Sequence, residues 1–593
     1  MSSIKNKIFV FFKKSKQSLG LFLYAKSSGR LNQVDIDKKL VYSLSPKKIP
    51  NTRQFKYLNN FLNTKENIVL KICLAIIVIN VVYLGVVLFN RYFESTPVYG
   101  GSYVEGVVGY PKSINPLYAS SRDVDHDLSR LIYSRLFFYN NFGELTNDLV
   151  NDYKISDDKK EYEVSIREDV KWHDGSQLTS DDIIFTFNLI QNTDYNSPLG
   201  PELTGISIEK IDNFKIKFVL TEAYSPFLEM LTFGIMPKEI WQEVSPEAIT
   251  LNDFNIKPVG SGPYKFKSLV KNKNGDLREY QLESNKDYYS KVPYIDNLIF
   301  RFFNNYFEAE QSFNEKSIDG LGGLPLINKS NLTQKGSIKR FELLRPQLVG
   351  LFFNLSKENL KDIETRKALA KAINRDEIVE QIYGGSYEAA WGPILKTSFA
   401  YNSEVENKNQ YLPEGARESL ASKNLKINLT AIDVNGNKLV AEYIKNYWQE
   451  VGVEVEVKII PLEQAQSVIT KKDFDVLLYG QLVGGDPDVY AFWHSNQIGS
   501  QGLNIAAYQN EEVDKLLIEA RTLASQEERK EKYKIFQDIL TDEVPVIFLY
   551  SPSYTYVQNK KVNGFSGHVI ISSADRFSQI NQWYIKTKKT WAK

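Results

Sequence analysis

Apolar residues along this chain follow three patterns: one unbroken run, several period-two alternations and a set of helical stripes. The unbroken run is IVLKICLAIIVINVVYLGVVLF, Ile68 to Phe89, whose only strongly polar members are Lys71 and Asn80. About 20 apolar residues at 1.5 Å rise cross a bilayer's hydrocarbon core, because a helix satisfies its own backbone polar groups where water is absent. Residues 68–89 are therefore expected to form a membrane-spanning helix. Tyr83, Phe89, Tyr92 and Phe93 would supply an interfacial aromatic belt.

Beyond it, Tyr103, Glu105 and Val107 alternate as in a strand, which Gly109, Tyr110 and Pro111 break. Leu128, Leu131, Ile132 and Leu136 recur at helical spacing. A strand from Glu161 to Ile166 leads to a turn at Asp174 and Gly175. Thr179 with Asp182 then opens a helix carrying Ile183, Ile184, Phe187 and Ile190 on one face. Lys215 to Leu220 and Glu279 to Glu283 alternate, and VGSGPYKF, Val259 to Phe266, is a turn entering a strand; a mixed sheet is expected here.

From Leu348 the pattern becomes strand, helix, strand. LVGLFFNLS precedes a helix over Asp362 to Asn374, and Asp376 is expected to cap a second that Gly384 ends. KINLTAID, VEVEVKI and FDVLLYG are strands separated by a helix from Leu439 to Val451 and a short one from Leu462 to Thr470. That alternation predicts a parallel α/β sheet with ligand crevices at its carboxyl ends. The last strand runs into the loop GQLVGGDPDVYAFWHS, Gly480 to Ser495. Two amphipathic helices follow, one through Val513, Leu516, Leu517 and Ala520, the other from a capping box at Ser525 and Glu528. EVPVIFLY returns to strand.

Charge orients the apolar run. Residues 1–71 carry 15 Lys or Arg against Asp35, Asp37 and Glu66, whereas the remainder is acidic, with 58 basic and 69 acidic side chains. Basic flanks stay in the cytoplasm, so residues 1–67 are expected to be a mostly disordered cytoplasmic tail and the bulk to lie outside. A cleaved secretion signal has a shorter apolar core and a small-residue cleavage site, and the run here is followed by Asn90, Arg91 and Tyr92. An uncleaved anchor is the preferred reading. The only cysteine, Cys73, falls within the span, which excludes intramolecular disulfides.

The roughly 500 residues after the anchor exceed one core and call for two or three domains. Enzyme signatures are absent: no G-x-S-x-G, no G-x-x-x-x-G-K and no H-E-x-x-H. His126, His173, His494 and His568 lie far apart in the sequence. His173 beside Asp174 fits a turn-stabilising hydrogen bond better than half a metal site, and a metal site at His494 with Asp486 and Asp488 is a weaker alternative. No cofactor and no nucleic acid are expected.

Five stretches, in order, resemble the family 5 extracellular solute-binding proteins, the oligopeptide and dipeptide receptors of ABC importers. They are GGSYVEGVVGYPKSINPL, VKWHDGSQLTSDDIIFTF, PVGSGPYKF, LFFNLSKENLKDIETRKALAKAINRDEIV and GGDPDVYAFWHS, covering roughly Gly100 to Gly567. The resemblance implies a two-lobed α/β fold that closes on its ligand without covalent chemistry, preceded here by one transmembrane helix. It implies a first lobe of residues 98–125, 251–345 and 547–593, a side domain of 126–250 and a second lobe of 346–546. Ligand contacts are expected at Gly109, Tyr110, Pro111 and Lys112 on one side, and at Tyr479, Gly480, Gln481, Val483, Gly484, Asp486, Asp488 and Tyr490 on the other. The implied partners are a peptide or similar small solute, an ABC permease and the lipid bilayer. An alternative is a tethered sensor acting through the cytoplasmic tail; a surface hydrolase is a third. In peptide-binding members an aspartate shortly before the DPD-like element holds the ligand's amino group, and Val483 stands at that place. Either Asp486 substitutes, or the ligand has no free amino terminus.

Overall fold

The computed structural model describes residues 62–325, 332, 336–434, 436–499, 502–523 and 525–591. Most of the expected basic tail lies outside them. The chain divides into two compact units: residues up to Glu94 with the last few residues, and Ser95 to Lys589.

Helix α1, Thr64–Tyr92, dominates the first unit. Its segment Thr64–Leu88 has a mean hydropathy of 2.5 and buries none of its most apolar window, so its apolar side chains face outward. By length and composition the helix is long and apolar enough to cross a membrane. Asn80, the polar interruption, donates from Nδ2 to the Ile76 carbonyl at 2.8 Å, so the helix satisfies part of its own amide.

The second unit begins with β1, Ser102–Val108, and α2, Asp123–Ile132. Strands β2 (Val150–Ile155), β3 (Glu161–Ile166), β4 (Ile206–Asp212) and β5 (Lys215–Leu220) make a four-stranded antiparallel sheet in the order β2-β3-β5-β4, with α3 (Ser180–Gln191) connecting β3 to β4. The expected capping box holds: Asp182 accepts from the Thr179 amide at 2.9 Å. Alternation also holds, with Tyr162, Val164 and Ile166 of β3 facing a core that includes Ile216 and Phe218 of β5.

Strands β6 (Tyr264–Lys271), β7 (Leu277–Ser284), β8 (Asn297–Phe303), β9 (Gly320–Gly322) and β10 (Ile338–Leu344) join β1 in a seven-stranded sheet that a late strand completes. β1 runs parallel to β8 and β9 and the remaining pairs are antiparallel, giving the mixed sheet the pattern called for.

The chain then enters a six-stranded sheet through β11, Gln347–Phe353. Helices α4 (Ile363–Lys371) and α5 (Arg375–Tyr383), strands β12 (Glu388–Ala389) and β13 (Lys426–Ile432), helix α6 (Asn437–Glu450), strands β14 (Glu454–Ile460) and β15 (Val476–Leu482), helices α7 (Glu511–Thr522) and α8 (Gln526–Glu543) and strand β16 (Val546–Ser551) follow. The order is β12-β16-β11-β15-β13-β14. Only β13 pairs in parallel, with β14 and β15; β11 is antiparallel to both β15 and β16. The expectation of a parallel sheet is thus corrected to a mixed one. After Gln347, β11 carries no polar side chain because both its faces are covered: Val349, Leu351 and Phe353 join one core, Leu348 and Phe352 another. A second correction concerns α5, whose N-cap is Asn374, accepting from the Glu377 amide, while Asp376 sits in the first turn. Gly384 ends α5 in the left-handed region at φ +56°.

β17, Ser553–Asn559, returns to the seven-stranded sheet between β9 and β10. The two large sheets are therefore joined by two crossings, Arg345–Pro346 on the way out and Pro552 on the way back.

Candidate functional site: a cleft beside the two crossings

The crossings touch. Arg345 N–H donates to the Pro552 carbonyl at 3.2 Å, and the Arg345 carbonyl accepts from Gln347 N–H at 2.7 Å and from the Ser551 hydroxyl at 3.2 Å. Each crossing carries a proline, whose ring fixes one backbone torsion and removes a donor at the point where a ladder must stop.

Next to this junction lies a cavity of about 700 Å³, within the range of small-ligand sites. The seven-stranded sheet contributes Val107, Gly322 and Tyr554 to its walls, and the region of the six-stranded sheet contributes Gln347, Tyr387 and Leu439. Gly322 is required here: a Cβ on it would collide with the Tyr554 hydroxyl. Burial raises the phenols of Tyr306, to about 12, and of Tyr387, so both serve as neutral hydrogen-bonding groups.

The floor is a buried ionic cluster. Arg576 meets Glu105 Oε1 at 3.0 Å and both oxygens of Asp127 at 2.8 and 2.6 Å, and all three side chains are shielded from solvent. Tyr103 and Tyr556 donate to Glu105 Oε2 at 2.7 and 3.1 Å. Burial pushes Asp127 up to about 6 and raises Glu105 as well, with Arg576 opposing both shifts. Every oxygen in the cluster has a donor, as a buried charge requires.

The expected contact residues fall in two groups. Gly109 adopts φ +102°, and its N–H bonds the Phe303 carbonyl at 2.9 Å. Tyr110 packs on Phe302 and donates to Asn304 Oδ1 at 2.8 Å; Pro111 is buried; Lys112 points to solvent while its amide bonds Asp125 at 2.8 Å. This group begins where the cavity wall ends, at Val108. In the second group Tyr479 is half-buried, and Gly480 lies under Gln347, whose Nε2 is 2.5 Å from where a Cβ would stand. Gln481 is buried. Val483 ties the loop to the first crossing, its N–H donating to the Pro346 carbonyl at 2.7 Å, and Gly484 turns the chain at φ +76°. Among the described residues no hydrogen bond joins the two groups.

Asp486 and Asp488 already have cationic partners. Arg529 grips Asp486 with two bonds of 2.8 and 2.5 Å, and the two side chains are only 6% and 10% exposed. Arg521 holds Asp488 at 2.9 Å while its guanidinium lies over the rings of Tyr224 and Tyr490, 4.9 and 4.3 Å from the centroids. An Asx turn accompanies these pairs, since Asp488 N–H donates to Asp486 Oδ1 at 2.9 Å. The loop also reaches the four-stranded region: Asp486 N–H donates to Glu229 Oε2 at 3.0 Å, and Tyr224 donates to Asp488 at 3.2 Å. Burial first, and the Asp486 charge second, hold Glu229 up to about 7.

The His173 ring does not stabilise the turn beside it, where Asp174 accepts from the Ser176 amide at 2.9 Å, but reaches a second loop. Its Nδ1 accepts from Gly260 N–H at 3.2 Å and its Nε2 faces the Gly262 carbonyl at 3.1 Å, so the neutral ring bridges two loops; burial lowers it to about 4. Among the described residues no group of three His, Cys, Asp or Glu side chains is placed to hold a metal ion. Pattern reading missed Arg345, Tyr306, Tyr387 and the arginines 521 and 529. The break at Arg345–Pro346, between two apolar strand patterns, is the one local signal that marked any of them.

A two-sheet α/β molecule with a cleft beside paired crossings is the architecture of a solute receptor, and the sequence agrees. Residues 144–502 match the bacterial extracellular solute-binding proteins, family 5 Middle, and the chain belongs to that family. Among individual relatives, it is 28% identical over 497 residues to the oligopeptide-binding protein AppA of Bacillus subtilis, covering 80% of this chain and 90% of that one. It is 27% identical over 496 residues to the dipeptide-binding protein of Escherichia coli, covering 77% and 90%. The solved structure of Bacillus subtilis AppA in complex with a nonapeptide superposes with a TM-score of 0.65 at 26% identity, covering 83% of this chain and 100% of that one. Receptors of this family bind solutes and are not enzymes.

Proposed function

We propose that this protein is a membrane-anchored, extracytoplasmic receptor that binds peptides between its two large sheets and delivers them to an ABC permease. The observation that carries the reading is the cavity of about 700 Å³ at the crossings, walled by side chains from both sheets. Such a cleft closes by rotation about the crossings and favours the closed state through contacts made to both walls. The proposed lobes are residues 98–125, 251–345 and 547–593 for the first and 346–546 for the second, with 126–250 as the side domain. In this reading the backbone of residues 109–112 and 479–484 lies along the peptide. Asp486, Asp488 and Tyr490 shape the loop that presents it, because their polar groups are engaged within the protein. Helix α1 supplies the anchor, with the basic flank inside the cell.

The test is native mass spectrometry of the full chain purified in mild detergent, followed by titration with a tetrapeptide library. Peptides leaving with the protein, or binding it at micromolar concentration, support the reading. A chain that carries no peptide and binds none of the library refutes it.

A further inference from the structure

One large aromatic side chain is left in the open. Trp241, Trp448, Trp493 and Trp583 are fully buried, whereas Trp591 is 69% exposed. Its ring packs on Phe93, with centroids 4.8 Å apart, and on Tyr92 at 6.1 Å, and Tyr92 is itself 46% exposed. The three rings make one cluster at the end of α1, which closes at Tyr92. Residues Phe93–Val98 and Lys586–Trp591 pair as a two-stranded sheet, in which the Thr96 hydroxyl donates to the Lys588 carbonyl at 3.3 Å. A ribbon of two strands is marginal in water by itself, and an exposed tryptophan at its end only adds uncovered apolar surface.

The place of the cluster along α1 says what covers it. Ile68 to Leu88 spans about 31 Å at 1.5 Å per residue, close to the thickness of a bilayer's hydrocarbon core. Tyr92 stands four residues further, about 6 Å beyond, and the headgroup layer on each side is about 5–8 Å deep. Trp591, in ring contact with Tyr92, is confined to the same layer. Tryptophan and tyrosine favour this depth, where the ring meets acyl chains and the N–H or O–H meets water. The stretch KTKKTWAK, Lys586 to Lys593, holds four lysines and no acid, and Lys586, Lys588 and Lys589 are exposed.

We propose that Trp591, with Tyr92 and Phe93, is a second membrane contact, seated in the headgroup layer that α1 leaves and fitted to anionic lipid by the adjoining lysines. This rests on α1 crossing the bilayer, the anchor reading above, and adds that a strand nearly 500 residues away in sequence is held at the same interface. Lysine stems lie along apolar surface while their ammonium groups reach lipid phosphates, so ring burial and charge act together.

The experiment uses the full chain reconstituted in phosphatidylcholine vesicles, with and without phosphatidylglycerol, and follows tryptophan quenching by lipids brominated near the headgroup end of their acyl chains. Flotation of the vesicles reads the anchor separately. Trp591→Phe keeps every other tryptophan and an aromatic ring at the seat, so the difference between the two proteins isolates Trp591. The wild-type protein is expected to lose about twice as much emission to brominated lipid as Trp591→Phe does, or more. Lys588→Glu combined with Lys589→Glu is expected to cut that excess by about half in vesicles containing phosphatidylglycerol. Equal quenching of wild-type and Trp591→Phe proteins that float with the vesicles overturns the proposal, leaves the anchor intact and makes another protein or water the cover of the cluster. An excess that is indifferent to phosphatidylglycerol and to both lysine changes overturns the assignment to anionic lipid. A wild-type chain that does not float overturns the anchor reading and this proposal with it.

Discussion

If Asp486 supports its loop and does not hold the ligand, removing Arg529 must be costly. At the observed 2.8 Å, one unit-charge contact at an effective dielectric of 20 is an attraction of roughly 6 kcal/mol, offset by the desolvation of both ions. Replacing Arg529 by Leu deletes the attraction but leaves the Asp486 carboxylate in a shell that also holds the Glu229 carboxyl, with its Oε2 3.0 Å from the Asp486 amide. The expected loss is about 3–5 kcal/mol of stability, the usual result of orphaning a buried charge. Adding Asp486→Asn removes that charge, so the double variant should recover at least about 2 kcal/mol relative to the sum of the two single changes. Urea denaturation of the four proteins measures the cycle, and peptide titration of Asp486→Asn completes it, with affinity expected to stay near that of the wild type. The reasoning fails if Arg529→Leu costs under about 1 kcal/mol, if the cycle is additive, or if Asp486→Asn folds normally yet no longer binds.

Three further outcomes are expected. Glu229 is held at about 7 against an ordinary 4.5, so it adds no penalty below pH 4.5 and destabilises progressively as pH rises through 7; urea midpoints at pH 5 and pH 8 should show this decline, and Glu229→Gln should flatten it. Gly485→Ala places a Cβ 2.7 Å from the Tyr139 ring and should cost about 1–3 kcal/mol in thermal denaturation, with an unchanged melting temperature counting against the close packing. Membranes containing the full chain should keep it through an alkaline carbonate wash, and a chain beginning at Ser95 should be released; release of both would refute an anchor at α1.

Much of this architecture is legible locally. The alternation in β1, β3 and β5, the capping box at Thr179 and Asp182, and the glycine that ends α5 each depend on residues within a few positions of one another. The direction of β11 does not, because its neighbours β15 and β16 lie far along the chain, and the apolar run from Leu348 reads the same whether its partners run parallel or antiparallel. Glu105 illustrates partial legibility: the alternation places it in a strand on one face with Tyr103 and Val107, but its partner Arg576 is 471 residues distant. The site suffers most from this limit. Asp486 looks like a free ligand-binding carboxylate until Arg529, 43 residues later on another helix, is seen to occupy it.

The return of β17 between β9 and β10 also fixes an order of assembly. The six-stranded region is one continuous stretch between the crossings and has all its strands once β16 has emerged. The seven-stranded sheet, begun at Ser102 and so well before Gln347, keeps open edges on β9 and β10 until β17 arrives near the carboxyl end. Pairings of such long sequence separation form slowly, and open strand edges invite association with other chains. The half that starts first finishes last, so a nascent molecule of this receptor is most exposed to aggregation during the interval in which its second half is already folded.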